Sequence, residues 1–168
     1  MKLAFFLASV FIFWSCRNNN VCSRLTVDDN LVDSVKKKSD TSYTKRYRNK
    51  EFAVAEYYIN RKDTTVCQLM KDTTNQIRQI IITKNDVRLY TAEYYSNGQL
   101  KAHLPFDEAG KLKGEGEFYF ENGCVKNKGA FNHGLYRGEW TNYNDKGQII
   151  SRDQYDSNGQ LIKTISVN

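Results

Sequence analysis

The feature that most constrains the fold is a short phrase that recurs through residues 91–163. It consists of an aromatic residue, three mostly polar residues, a glycine, one further residue and an apolar residue. Five clear copies and one degenerate copy carry glycines in steps of 12, 13, 11, 13 and 12 residues, at Gly98, Gly110, Gly123, Gly134, Gly147 and Gly159. Because each step has room for one strand and one turn, the phrase predicts an antiparallel meander of hairpins.

Each copy has the turn chemistry of a β-hairpin. In Asn144-Asp145-Lys146-Gly147 the first side chain bonds back to the chain, and the glycine adopts the positive φ that closes a three-residue loop. This loop places Tyr143 opposite Ile149. The same register predicts four further aromatic–aliphatic pairs: Tyr94–Leu100, Phe106–Leu112, Tyr119–Val125 and Tyr155–Leu161. In the first hairpin, a two-residue Asn-Gly turn would instead pair Tyr95 with Leu100. We expect the aromatics to form one stripe on one side of an elongated sheet.

Two segments place a glycine and a glutamate before an aromatic residue, namely Gly114-Glu115-Gly116-Glu117-Phe118-Tyr119 and Leu135-Tyr136-Arg137-Gly138-Glu139-Trp140. Together with the Asn-Gly turns, they resemble the MORN repeat family. The copies that end in Asn-Gly-Gln-Leu are similar to its divergent bacterial variant, the antitoxin-type MORN protein. The resemblance covers residues 91–163 and implies an extended β-hairpin sheet that contacts proteins or lipids. It implies no catalytic residue.

Residues 1–15 have the pattern of an export signal. Lys2 precedes a twelve-residue apolar run, Leu3 to Trp14, which only Ser9 interrupts. The run is shorter than the roughly 20 residues that a membrane-spanning helix needs. Cys16, which follows the run, resembles the lipid-modified cysteine of bacterial lipoproteins. We therefore expect an exported protein that is anchored in the bacterial envelope by a lipid on Cys16; an ordinary signal peptide and a soluble secreted or periplasmic protein are the alternative.

The remainder divides into three parts. Residues 16–50 are polar, with two basic clusters at 36–38 and 45–48, and we interpret them as a lipidated tether and basic linker, partly disordered, with a short helical turn between Val27 and Val35. Residues 51–90 contain apolar runs bounded by turn residues, which predict strands that cap the repeat sheet. Residues 91–168 hold the repeats, and their last five residues alternate as a closing strand. The chain is therefore predicted to be all-β.

The formal charge of +6 is a modest basic excess. The basic clusters, with Tyr43 and Tyr47, fit either a phosphate-rich surface or a solvated face, and export argues against a nucleic-acid partner. Once Cys16 carries a lipid, three cysteines remain. An oxidising compartment allows one disulfide, for which Cys67–Cys124 is our expectation, and three free thiols are the alternative.

The sequence offers little catalytic chemistry. It contains no Cys-x-x-Cys pair, His103 and His133 lie near turns of different repeats, and we expect no metal or cofactor. Three glutamates occupy repeated strand positions, which favours cross-strand ion pairs over the acid pair of a glycan hydrolase: Glu115, Glu117 and Glu139.

Three residues near the degenerate copy fall outside the simplest aromatic stripe and have the side chains that dominate binding hot spots: Tyr136, Arg137 and Trp140. We predict that they form an exposed contact surface. The resulting hypothesis is a non-catalytic, envelope-anchored protein that binds a protein or glycan. An antitoxin or immunity role is the alternative, and a glycan hydrolase is a third hypothesis.

Overall fold

A computed structural model describes residues 22–167, so the predicted signal peptide and Cys16 lie outside the described residues. The described chain forms one helix and eleven strands: α1 (Asp29–Lys38), β1 (Thr41–Arg46), β2 (Val54–Asn60), β3 (Thr65–Lys71), β4 (Ile77–Lys84), β5 (Val87–Tyr94), β6 (Leu100–Pro105), β7 (Gly114–Tyr119), β8 (Val125–Asn132), β9 (Leu135–Tyr143), β10 (Ile149–Tyr155) and β11 (Leu161–Ser166). The strands form one antiparallel sheet in chain order. The predicted all-β meander is confirmed.

The hairpin registers follow from the turn chemistry. All five predicted aromatic–aliphatic pairs are present, from Tyr94–Leu100 to Tyr155–Leu161. In the first hairpin the Gly98 N–H donates to Tyr95 O at 3.0 Å, so the three-residue loop forms there and not the two-residue turn. The degenerate copy instead uses a two-residue turn, because His133 and Gly134 both have positive φ, 50° and 88°.

We predicted that the aromatic residues form one stripe on one side of the sheet, but they are divided between its two faces. Tyr94, Tyr119 and Tyr143 lie on the face that carries the main core, called here the helix face. Trp140 lies three residues before Tyr143 in a regular stretch of β9, so its side chain points to the opposite face, called here the tryptophan face. Tyr155 lies on that face as well, since it stacks on Tyr136, which contacts Trp140.

The segment before the sheet covers the helix face. Asp28 caps α1 by accepting a hydrogen bond from the Leu31 N–H at 3.2 Å, and three lysines occupy the last turn, where they complement the helix dipole. Val32 of α1 is buried against a core formed by three strands, β3, β4 and β5: Cys67, Leu69, Ile80, Ala92 and Tyr94. The short helical turn predicted between Val27 and Val35 overlaps α1, which extends further, to Lys38, and packs on the core. With β1 following at Thr41–Arg46, the chain from residue 29 onward is folded and is not the partly disordered linker that we predicted. Within the described residues, no helix is long and apolar enough to cross a bilayer.

A disulfide joins Cys22 to Cys124, and not Cys67 to Cys124 as we expected. Cys67 is a free thiol, 1% exposed, in the core under α1. The bridge fixes the start of the described chain beside the β7–β8 turn. From there the segment runs across the hairpin ends, where the Ser23 N–H donates to Gly123 O at 3.1 Å and the Leu100 N–H donates to Leu25 O at 2.7 Å.

Candidate functional site

An aromatic cluster occupies the tryptophan face over β7 to β10. Trp140, only 2% exposed, is its centre, and its indole N–H donates to Ala130 O at 3.1 Å. Its ring centroid lies 4.6 Å from that of Tyr136 and 4.9 Å from that of Phe131. Tyr136 also stacks on Tyr155 with centroids 5.0 Å apart, which extends the cluster towards β11. Within residues 22–167 no second sheet or helix covers this face, and these rings supply the packing there.

Two glycines create the space for the cluster. Gly116 and Gly129 pair across β7 and β8 on the tryptophan face. A Cβ on Gly129 would lie 2.5 Å from Trp140 Cδ2, and a Cβ on Gly116 would lie 2.5 Å from Phe131 Cε2. The rings therefore lie directly on the backbone of the neighbouring strand. This contact gives the glycine of the Gly-Glu segment at 114–119 a physical role that the sequence alone did not reveal.

The predicted contact surface does not exist as a unit. Trp140 is buried, so its assignment to an exposed surface is wrong. Tyr136 is exposed, at 41%. Arg137 is also exposed. It directly follows Tyr136 in β9, where Tyr136 pairs with Phe131 and Arg137 pairs with Ala130. Because successive side chains of a strand point to opposite faces, Arg137 does not lie on the face of Tyr136. Of the three residues, only Tyr136 is exposed on the tryptophan face.

Tyr136 belongs instead to a tyrosine patch, which we define as Tyr136, Tyr155 and Leu161. Tyr155 stacks on Tyr136 and stands opposite Leu161, which is 54% exposed. Burial, then the charges of Asp153 and Tyr136, raise the pKa of Tyr155, so its hydroxyl stays neutral at physiological pH. The patch offers two aromatic rings, the two tyrosine hydroxyl groups and an aliphatic side chain. Such a surface fits apolar protein side chains or the faces of sugar rings.

Exposed apolar side chains concentrate at the C-terminal end of the sheet. Seven of the nine large apolar residues that are exposed in the described chain lie from β9 onward: Leu135, Tyr136, Ile150, Leu161, Ile162, Ile165 and Val167. A closing strand was predicted over the last five residues; β11 begins earlier, at Leu161, and its exposure was not predicted. The signal was present, since β11 has apolar residues at both odd and even positions, which a sheet with one covered face does not require.

The N-terminal end of the sheet has the opposite character. Residues 22–62 contain ten basic and six acidic residues, a net charge of +4, whereas residues 63–168 contain thirteen of each. On β1, Tyr43 is exposed and stacks on Tyr57 with centroids 4.5 Å apart. Lys45 Nζ lies 5.2 Å from the Tyr47 ring centroid. The two ends of the sheet therefore present a basic edge and an apolar edge.

The acidic side chains form hydrogen bonds and ion pairs with neighbouring residues of the sheet. The Tyr119 hydroxyl donates to Glu117 Oε2 at 2.5 Å, and Arg152 Nε lies 3.5 Å from Glu139 Oε1. Glu115 is exposed on β7 and pairs with Ala130. Two half-buried ion pairs, Glu56–Lys71 and Asp72–Arg78, also lie between neighbouring segments.

The histidines are also separate from one another. His103 packs against Tyr90 with ring centroids 5.1 Å apart, and His133 Nδ1 lies 3.5 Å from Asp107 Oδ2. Across residues 22–167, no group of three or more His, Cys, Asp or Glu residues is arranged to hold a metal ion.

The turns at one end of the sheet are linked from hairpin to hairpin. The Asn97 amide donates to Glu121 O at 3.0 Å, and the Asn122 amide donates to Asp145 O at 2.7 Å. Both asparagines lie directly before the glycine of their turn. The repeated phrase therefore specifies two things: the turn itself, and a contact between that turn and the next one at the same end of the sheet. This contact fixes the position of each hairpin relative to its neighbour.

No family model matches the chain, and no curated protein matches it. Among solved structures, the chain is similar to accessory secretory protein 1, 2 and 3 of Streptococcus pneumoniae, at 20% identity and TM-score 0.35, over 56% of this chain and 18% of that chain. It is also similar to TarM, at 14% identity and TM-score 0.40, over 71% of this chain and 23% of that chain.

A TarM mutant of S. aureus, solved in complex with Fondaparinux, alpha-GlcNAc-glycerol and UDP, matches at 14% identity and TM-score 0.41, over 76% of this chain and 24% of that chain. The chain thus spans less than a quarter of the length of these proteins.

Proposed function

We propose that the protein is a non-catalytic, MORN-like binding protein of the bacterial envelope, exported and held at a membrane by a lipid on Cys16. It contacts a protein or glycan partner through the tyrosine patch. The observation that carries the proposal is the exposure of Tyr136, whose ring is held in place by Trp140 and Tyr155. An aromatic side chain that is fixed before binding loses little conformational entropy when a partner covers it.

The hydrogen bonds and ion pairs of the acidic residues support a non-catalytic role. Glu117 and Glu139, the acids on which a hydrolase would depend, are engaged by Tyr119 and Arg152 on neighbouring positions of the sheet. Glu56 and Asp72 are likewise engaged, by Lys71 and Arg78. A general acid needs a raised pKa and access to substrate. Burial does raise the pKa of Glu56, but hydrogen bonds from Lys71 and Tyr58 outweigh it and leave the pKa below its usual range.

The partner contact is tested by photo-crosslinking in intact cells. A photoreactive residue replaces Tyr136 in the full chain, and a matched control replaces Tyr43, a tyrosine at the other end of the sheet that is 51% exposed against 41% for Tyr136. We expect a discrete adduct from position 136 and none from position 43. Protease or glycosidase sensitivity of the adduct then distinguishes a protein partner from a glycan.

Affinity gives the second measurement. Tyr136→Ala removes an exposed ring while Trp140 remains covered by Phe131, so we expect binding of the isolated partner to weaken by roughly 30-fold, about 2 kcal/mol. Tyr43→Ala leaves affinity unchanged. Equal affinity in Tyr136→Ala and wild type would exclude the tyrosine patch as the contact. Loss of glycan turnover in Glu117→Gln would instead support the hydrolase.

The membrane anchor is tested separately. We expect the Cys16→Ser variant to leave the membrane fraction or to accumulate with its signal peptide attached, whereas Cys22→Ser, the nearest other cysteine, stays in the membrane fraction. Several acyl chains at roughly 0.8 kcal/mol per buried methylene account for the difference. Unchanged membrane retention of Cys16→Ser would eliminate the lipid anchor, and release of the wild type into the medium or periplasm would support the soluble alternative.

A further inference from the structure

The strand β11 forms an open edge of the sheet with an unusual composition. Within the described residues it pairs only with β10. All six of its residues are exposed, and Ile162 and Ile165 are exposed at 62% and 47%. Natural edge strands are generally blunted by charges, and β1 follows that rule with Lys45 and Arg46. β11 carries one charge, Lys163, and therefore resembles a strand that has a partner.

The hydrogen-bonding groups of β11 are available to a further strand. The Val167 N–H donates to Ile150 O at 2.9 Å, so residue 167 faces β10. Backbone groups alternate in direction along a strand, and the pairing with β10 is regular from Lys163 to Ser166. Thr164 and Ser166 therefore direct their N–H and C=O groups away from β10, into the open edge.

We propose that β11 pairs with β11 of a second copy of this chain, antiparallel and across a two-fold axis, so that two sheets join into one. Full overlap of residues 161–167 places the axis at Thr164. Thr164 then stands opposite its own counterpart as a hydrogen-bonded pair, Leu161 stands opposite Val167, and Lys163 stands opposite Ile165. A register centred on Lys163 would oppose two like charges, which is unfavourable. The full-overlap register is the one that avoids this repulsion and leaves no residue of the strand unpaired.

Charge favours this contact over the alternatives. From Leu135 to Val167 the chain has four basic and four acidic residues, so two copies meet at this end without net repulsion. A contact between two β1 edges would bring together two segments of +4 each. A head-to-tail contact would place Ile162 and Ile165 beside Lys45 and Arg46 and would not close. The β11 contact is isologous, and it closes at two copies.

The register is tested with single cysteines in the full chain, oxidised in its native compartment and separated on non-reducing gels. Thr164→Cys stands opposite itself, with Cα atoms about 5.5 Å apart, and we expect a species of twice the mass of the single chain. Two controls probe register and edge. Ser166→Cys faces Ile162 of the second copy, about 14 Å from its own counterpart along the strand. Thr44→Cys lies on the exposed β1 edge. Both are expected to give at least tenfold less of the doubled species.

A second measurement does not depend on cysteine chemistry. The full chain purified in detergent is expected to sediment as a dimer, and Ile162→Lys combined with Ile165→Lys is expected to sediment as a monomer with an unchanged far-UV spectrum. Thr44→Lys, on β1, is expected to remain dimeric. Monomeric wild type at tens of micromolar, equal cross-linking at positions 164 and 166, or a Thr164→Cys adduct with a different protein would each overturn the proposal.

Discussion

The disulfide between Cys22 and Cys124 is expected to supply a large part of the stability of the fold. It closes a loop with a sequence separation of 102 residues. In the chain-entropy model, a cross-link over about 100 residues restricts the unfolded chain enough to stabilise the native state by about 4.7 kcal/mol. The total free energy of unfolding of a domain is about 5–15 kcal/mol, so the loss of the bridge removes a third or more of the stability.

The native state is expected to keep its structure when the bridge is removed. The hydrogen bonds of Ser23 with Gly123, and of Leu25 with Leu100 and Gln99, hold the same segment in place without the sulfur atoms. Cys22 is exposed, so Cys22→Ser introduces no buried hydroxyl. We therefore expect Cys22→Ser to lower the free energy of unfolding by about 3–5 kcal/mol with little change in the native spectrum.

Guanidinium denaturation, followed by the fluorescence of the buried Trp140, measures this loss in the chain from residue 17 onward. With a slope of roughly 4 kcal/mol per molar, the midpoint falls by about 1 M. Reduction of the wild type should reproduce the shift, and reduction of Cys22→Ser should have no further effect. Thiol titration of the unfolded, unreduced wild type should find one thiol, Cys67. Three thiols, or a loss below 1 kcal/mol, would refute the reasoning.

Three further predictions concern the core and its charges. Gly129→Ala places a Cβ 2.5 Å from Trp140 and should lower the free energy of unfolding by about 1–3 kcal/mol, with an altered near-UV spectrum of the tryptophan; an unperturbed spectrum would contradict the close approach. Thr91→Val removes a hydroxyl that is buried and has no hydrogen-bond partner in the described structure. The midpoint of thermal unfolding should therefore rise by about a few degrees. A lower midpoint would show that the hydroxyl does form a hydrogen bond. For Asp72, burial raises the pKa, but hydrogen bonds from Thr74, Gln76 and Arg78 outweigh it and hold the pKa below its usual range. Its contribution to stability is therefore complete above about pH 4 and is lost as pH falls further, and Asp72→Asn should make acid unfolding less steep in a urea titration at each pH.

Local chemistry made part of the fold readable from the sequence. The register of each hairpin depends on residues within one loop, as in Asn144 to Gly147, and these registers were correct. The strands of residues 51–90 were also predicted, because their apolar runs are bounded by turn residues. These predictions required no knowledge of what lies on either side of the sheet.

Contacts between distant segments set the limit of the prediction. Trp140 is buried because Gly129, on the neighbouring strand, lets the ring lie on the backbone, and neither residue reveals this alone. The pairing of Cys22 with Cys124 depends on a segment that crosses the sheet and comes from the other end of the chain. A short helical turn was predicted between Val27 and Val35, but its extension to Lys38 and its packing on the core were not, because the polar composition of the segment favoured a linker. Tyr136 was predicted to be exposed, and its side chain is 41% exposed. The reason for that prediction, a place outside a single aromatic stripe, does not hold, because Tyr155 of that stripe stacks on Tyr136.

The position of Cys22 determines at which point of the sheet the chain before it is attached. Because the bridge ties Cys22 to the β7–β8 turn, the tether leaves from well inside the row of strands and not from β1. Five residues lie between Cys16 and Cys22, and the six steps from one to the other span about 20 Å at most when fully extended. A lipid on Cys16 would therefore hold the middle of the sheet close to the bilayer, and the basic end and the apolar end would extend sideways above the headgroups in opposite directions.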